Sequence, residues 1–162
     1  MSEILSRETI RLGLTAIDKT DAITQCGSLL VAVGAVTQPY ADAMFEREHQ
    51  VPTYLGEGVA IPHGTNESRE HIQRTCLGFL QFPDEVDWDS ERVFVCIPIA
   101  SRGEEHVEIL GELAEVLMDP DAAAQLRTTT DPDDILRALR ISGQEAGKGR
   151  LCPCVATLAC LR

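Results

Sequence analysis

Four histidines and six cysteines are the side chains of this 162-residue sequence with the widest chemical reach. Among them His63 stands apart, in the run Gly58-Val59-Ala60-Ile61-Pro62-His63-Gly64-Thr65. Val59, Ala60 and Ile61 read as a short buried strand, and Pro62 forces Ile61 into an extended conformation that closes it. An imidazole held at a strand end and followed by glycine is rigidly placed and accessible, and strand ends are where open α/β sheets put ligand sites. Near neutral pH an imidazole, with an ordinary pKa of about 6.5, keeps one nitrogen free as a nucleophile. Local sequence leaves two readings open, a nucleophile or a structural histidine.

His106 bears on that choice. It follows Ser101-Arg102-Gly103-Glu104-Glu105 and falls in the first turn of a long amphipathic helix. Free backbone N–H groups and the positive end of the helix dipole favour an anion there. Arg47, near the end of an earlier helix, supplies a planar fork of donors suited to a phosphoryl group. His63 as nucleophile, His106 as hydrogen-bond donor and Arg47 as fixed charge make one candidate constellation, because phosphoryl transfer needs alignment and charge neutralisation above all. His49, between Glu48 and Gln50, and His71, in a polar segment after Arg69 and Glu70, read as surface residues. Cys26, Cys76 and Cys96 lie in apolar patterns and read as reduced buried thiols.

The elements that must position these groups follow from periodicity. Ile10, Leu12 and Leu14 alternate as a first strand. Ala22, Ile23, Cys26, Leu29, Leu30 and Val33 repeat at helical spacing, with Asp18 or Thr20 as cap and Gly34 as stop. Pro39 starts a second helix reaching Glu48, with Tyr40, Met44 and Phe45 facing inward. Thr53-Tyr54-Leu55 is extended, and Gly56 and Gly58 mark a turn before the Val59 strand. Residues 75–82 and 92–100 are two further strands joined by an acidic turn over 83–89, the second so apolar that it belongs at the centre of the sheet. A helix over 104–118 carries Val107, Leu110, Leu113, Ala114 and Leu117 on one stripe. Thr130 or Asp131 caps a last helix, with Pro132 in its first turn and Ile135, Leu136 and Leu139 inward. Strands interleaved with helices define a single α/β domain over residues 1–140, with helices covering a mostly buried sheet. After Arg140 the periodicity stops, and residues 141–162, with Cys152, Cys154 and Cys160, read as a flexible tail outside the fold.

Bulk composition excludes several classes. A net charge of −12 argues against nucleic acid or an anionic membrane as partner. No apolar run approaches the roughly 20 residues of a membrane span, and the N-terminus lacks a basic-then-apolar signal, which places the protein in the cytoplasm. Gly143 to Lys148 has three spacers where a phosphate-binding loop needs four, and neither Ser nor Thr after its lysine. No His-Glu-x-x-His or Cys-x-x-Cys spacing supports a zinc enzyme.

The stretch Leu55-Gly56-Glu57-Gly58-Val59-Ala60-Ile61-Pro62-His63-Gly64 resembles the phosphorylation-site signature of mannitol/fructose-type enzyme IIA domains of the bacterial phosphoenolpyruvate-dependent sugar phosphotransferase system. Glu8-Thr9-Ile10, the Ala22–Val33 helix, Tyr40 through Arg47-Glu48, and Glu105-His106 leading into Ile109-Leu110 are also similar to the family, so the resemblance covers about residues 3–140. Pro52 through Glu57 resembles the mannitol-specific members, where fructose and nitrogen-regulatory relatives carry a more glycine-rich lead-in. The resemblance implies a mixed β-sheet flanked by α-helices. It implies that His63 takes a phosphoryl group on Nε2 from phospho-HPr and passes it to a cysteine of a mannitol-type enzyme IIB, with indirect association with the membrane enzyme IIC. Arg47 and His106 match the positions that assist the phosphohistidine, and no metal or organic cofactor is implied. Some relatives are regulators, in which the phosphorylation state of the histidine controls binding to another protein.

Overall fold

Asp18 opens the first long helix. Its carboxylate accepts the Asp21 amide, which satisfies one of the free N–H groups of the first turn, and α1 (Lys19–Ala32) follows. Gly34, at φ 75°, turns the chain out of that helix. Pro39 then sits in the first turn of α2 (Gln38–Gln50). The structure is a computed structural model and describes residues 4–139.

The described residues hold seven strands, in chain order β1 (Ile10–Arg11), ahead of α1, then β2 (Tyr54–Gly56), β3 (Val59–Ala60), β4 (Cys76–Leu77), β5 (Phe79–Trp88), β6 (Glu91–Cys96) and β7 (Ile99–Ala100). Five of them form one sheet in the order β1-β5-β6-β3-β2, with β6 at the centre. The β1–β5 and β3–β6 pairs are parallel, while β5–β6 and β2–β3 are antiparallel, so the sheet is mixed. β4 and β7 pair separately. Helices α1 and α2 cover one face, over Ala60, Leu80, Phe82, Trp88 and Cys96. On the other face α3 (Glu105–Met118), α4 (Pro120–Thr128) and α5 (Pro132–Ala138) pack on Val59, Ile61, Phe79, Val95 and Ile97. This is the single α/β domain with a flanked mixed sheet that the sequence implies.

Several boundaries differ from expectation. Residues 83–88 of the expected acidic turn are instead strand, with β5 running on to Trp88, and only Asp89, at φ 60°, remains in a turn. Gln81 pairs with Val95 and Val86 with Val93, so the residues between them bulge out of register. Pro83 cannot donate to a ladder, and Glu85 adopts φ 63°, both at home in a bulge. Beyond it Val86 and Trp88 return to the core. The expected strands over 75–82 and 92–100 each break in two, at Gly78 and Pro98. Gly78 donates to the Pro98 carbonyl at 2.9 Å, and a Cβ on Gly78 would lie 2.8 Å from the Pro98 ring. The first strand ends at Arg11 because Gly13, at φ 68°, turns the chain before Leu14.

Helix faces also shift. In α3 the buried residues are Ile109, Leu113 and Leu117, four apart, which leaves Val107 on the far side and 71% exposed. In α2 Tyr40, Ala41, Met44 and Glu48 face inward, and Phe45, a hundred-degree step past Met44, sits at the exposed margin. Asp119 caps α4, a helix the periodicity did not indicate, and Asp131 rather than Thr130 caps α5. The tail expected over 141–162 lies outside the described residues.

Candidate functional site

The segment bearing His63 is fixed by two backbone hydrogen bonds and by the Tyr40 hydroxyl. The Ile61 amide donates to the Thr53 carbonyl at 3.0 Å, and the Ile99 amide donates to the Pro62 carbonyl at 3.0 Å. Tyr40, almost wholly buried, donates its hydroxyl proton to the Ile99 carbonyl at 2.6 Å, and the Gly64 amide donates to the same phenol oxygen. Burial pushes the Tyr40 phenol up to about 12, so it stays a neutral donor. Gly64 is required by close approach: a Cβ there would lie 2.4 Å from the Ser68 hydroxyl and 2.7 Å from the Tyr40 ring. Upstream, Gly56, Glu57 and Gly58 all adopt positive φ, the tight β2–β3 turn that brings the histidine strand back into the sheet.

His63 Nδ1 lies 2.7 Å from the Ile61 carbonyl oxygen. A carbonyl only accepts, so Nδ1 carries the proton, and in the neutral ring Nε2 holds the free lone pair. Burial lowers the His63 pKa, the Ile61 carbonyl opposes the shift, and Arg47 and Arg69 add to the lowering while Glu48 resists it. His106 stands in the first turn of α3, its ring centroid 5.0 Å from that of His63 with the planes tilted by 57°. Burial, the neighbouring His63, Arg69 and Arg47 push His106 down to about 4. Both imidazoles therefore stay uncharged near neutrality, though two guanidinium groups lie nearby.

The structure thus brings together the three residues singled out by sequence: His63, His106 and Arg47. Arg47 lies in the last turn of α2, and its Nη1 donates to the Val51 carbonyl at 2.7 Å, leaving other N–H groups of the fork for a ligand. His49 is exposed and His71 partly so.

Arg69 was missed. It sits in the 3-10 turn Glu67–His71 that follows His63, and its charge acts on both imidazoles and on Tyr40. Among the described residues no carboxylate pairs with its guanidinium, in contrast to the paired Arg7, Arg92 and Arg137. Arg102, just ahead of α3, donates to the Ile72 carbonyl, which ties the His106 helix to the segment after that turn. The only sequence signal for Arg69 was its nearness to His63, six residues on. Spacing in an irregular segment does not reveal direction.

The three cysteines read as buried thiols, Cys26, Cys76 and Cys96, are buried and free. Among the described residues no group of three or more His, Cys, Asp or Glu side chains is placed to hold a metal ion, and no helix is long and apolar enough to cross a membrane.

Two converging imidazoles and two guanidinium groups at the edge of a mixed sheet form a site suited to a small, multiply charged anion. Residues 3–141 match the family described as the phosphoenolpyruvate-dependent sugar phosphotransferase system, EIIA 2. The chain belongs to that family of phosphotransferase components. It is 41% identical, over 84% of its length and 94% of the relative's, to the mannitol-specific phosphotransferase enzyme IIA component of Halalkalibacterium halodurans. A multiphosphoryl transfer protein of Escherichia coli O157:H7 is 38% identical over 91% of this chain, which spans 39% of that longer protein. The fold superimposes with a TM-score of 0.78 and 36% identity on a chain from the complex of enzyme IIA and phosphorylated enzyme IIB for mannitol from Escherichia coli, covering 83% of this chain and 95% of that one.

Proposed function

We propose that this protein is a cytoplasmic phosphoryl carrier for mannitol uptake, taking its phosphoryl group from phospho-HPr on Nε2 of His63 and passing it to a cysteine of a mannitol-type enzyme IIB. The observation that carries this reading is the 2.7 Å contact between His63 Nδ1 and the Ile61 carbonyl, which leaves Nε2 as the nucleophile. The Nε2–P bond forms as the donor's N–P bond breaks, and the bonding pair leaves with the donor nitrogen. The proton stays on Nδ1. Arg47 and Arg69 neutralise the phosphoryl oxygens, and His106, in its Nε2–H or Nδ1–H form, donates to one of them. The mannitol assignment is supported by similarity to the Halalkalibacterium halodurans component, and the IIB partner by the resemblance to the Escherichia coli complex. The membrane enzyme IIC is engaged only through IIB.

Incubation with phosphoenolpyruvate, enzyme I and HPr should give an acid-labile, base-stable adduct that is absent from His63→Ala. Equal labelling of His63→Ala and the parent would refute the assignment. Phospho-protein should then discharge to a mannitol-type IIB. Failure to discharge, together with tight binding to a regulatory protein, would select the regulatory role instead.

A further inference from the structure

Glu48 follows Arg47 in sequence but points into the core, where it is 4% exposed. One carboxylate oxygen accepts the Thr53 amide at 2.8 Å and the Thr53 hydroxyl at 2.6 Å. The other accepts the Trp88 indole N–H at 2.7 Å, and Lys19 Nζ lies 3.5 Å away while pairing with Asp89 at 2.7 Å. Burying a carboxylate is costly unless its oxygens are hydrogen-bonded. Here both are, by groups from α1, the β2 lead-in and β5, so the charge is locked in place.

That charge reaches the candidate nucleophile through an unbroken set of contacts. Glu48 holds Thr53, the Thr53 carbonyl accepts the Ile61 amide at 3.0 Å, and the Ile61 carbonyl accepts the proton on His63 Nδ1. We propose that Glu48, anchored by Trp88, is a positioning residue for phosphoryl transfer, fixing through Thr53 and Ile61 the ring orientation and tautomer of His63. The inference rests on His63 being the phosphoryl carrier. When Nε2 gains the phosphoryl group and Nδ1 keeps its proton, the ring becomes cationic. The Ile61 carbonyl touches that cation, and the Glu48 charge behind it favours it at longer range. The other charged or titratable groups acting on the ring, Arg47, Arg69 and His106, come from α2, the 3-10 turn and α3.

Glu48→Gln keeps the shape, removes the charge and turns an amide N–H toward donors. His63 is followed by 15N NMR for tautomer and titration. Its phosphorylation by potassium phosphoramidate, which releases ammonia and needs no protein donor, is followed by 31P NMR. A fall of three- to tenfold in rate is expected, with loss of the Nδ1–H tautomer and a His63 midpoint below the parent's. A purely structural loosening would expose the ring and move the midpoint the opposite way, toward its ordinary value. An unchanged or raised midpoint, or an unchanged tautomer and rate, overturns the proposal. Should Glu48→Gln not fold, Trp88→Phe, which retains the charge and removes its anchor, is expected to lose two- to threefold in rate and part of the Nδ1–H population. Parent behaviour in Trp88→Phe would then overturn the proposal. If the parent's His63 accepts phosphate from neither phosphoramidate nor phospho-HPr, the carrier reading fails, while the tautomer still decides whether Glu48 positions the ring.

Discussion

Burial and two guanidinium groups hold His63 and His106 uncharged, and both effects have measurable consequences. Removing His63 takes away a neighbour that lowers His106, so His63→Ala should raise the His106 midpoint from about 4 toward its ordinary value in an NMR titration. Because the folded protein binds protons at His106 less readily than the unfolded chain, the contribution of this residue to stability is fully present above pH about 6.5 and is lost as pH falls toward 4. Urea melts of the parent and His106→Ala should therefore show the parent losing ground relative to the variant between pH 7.5 and pH 5. A pH-independent difference would contradict that linkage. Arg69 is open to a direct test. A charge-assisted hydrogen bond is worth about 1.5–3 kcal/mol, so Arg69→Gln should slow transfer from phospho-HPr by about 10- to 100-fold. It should also raise the midpoints of both imidazoles. Unchanged midpoints would show that the guanidinium does not face the pair. His63, His106 and Arg47 were legible because strand-end and helix-end positions have a physical meaning that sequence displays. Arg69 was not, because the 3-10 turn that aims it lies in an irregular segment without periodicity, held by Ser68 bonding back to Thr65 and lying against Gly64.

At the scale of elements, long amphipathic segments were readable and short or interrupted ones were not. The α1 helix, with its Asp18 cap, and the central apolar strand β6 emerge as expected. The extension of β5 was hidden because Pro83, Asp84 and Glu85 look like a turn, and only pairing with β6 reveals them as a bulge in a continuing strand. A related irregularity sits in β6, where the Phe94 and Val95 amides both donate to the Gly58 carbonyl, at 2.8 and 3.2 Å. That doubling switches Val95 to the face opposite Val93, which strict alternation would not give. The helix pair under the site depends on close approach. A Cβ on Gly27 of α1 would lie 2.9 Å from the Ala41 Cβ of α2. Alanine is the better helix former by about 1 kcal/mol, yet the clash is between two backbone-fixed atoms and cannot be relieved by a side-chain rotation. Gly27→Ala is expected to destabilise by about 1–3 kcal/mol net of that propensity, read from the urea midpoint. A stabilised variant would mean that α1 and α2 slide apart at little cost.

The whole molecule is acidic, with a net charge of −12, while its candidate site gathers Arg47 and Arg69. Both cores, the Arg7–Asp133 pair joining the chain's early and late segments, and every group assigned to phosphoryl transfer lie within residues 4–139. The family match likewise ends at residue 141. Residues 141–162 contain Lys148, Arg150 and Arg162 against Glu145, so a chain cut after Arg140 carries −14. If chemistry resides wholly within residues 4–139, truncation changes only the long-range field felt by an approaching protein donor. That field is screened beyond about 8 Å at physiological ionic strength and reaches about 30 Å at 0.01 M. The truncated protein should therefore show the parent's kcat for accepting phosphate at every salt concentration. Any change in KM for phospho-HPr should appear at 0.01 M salt and vanish near 0.15 M. A kcat that drops at 0.15 M would place residues of the C-terminal segment within reach of the reacting phosphoryl group.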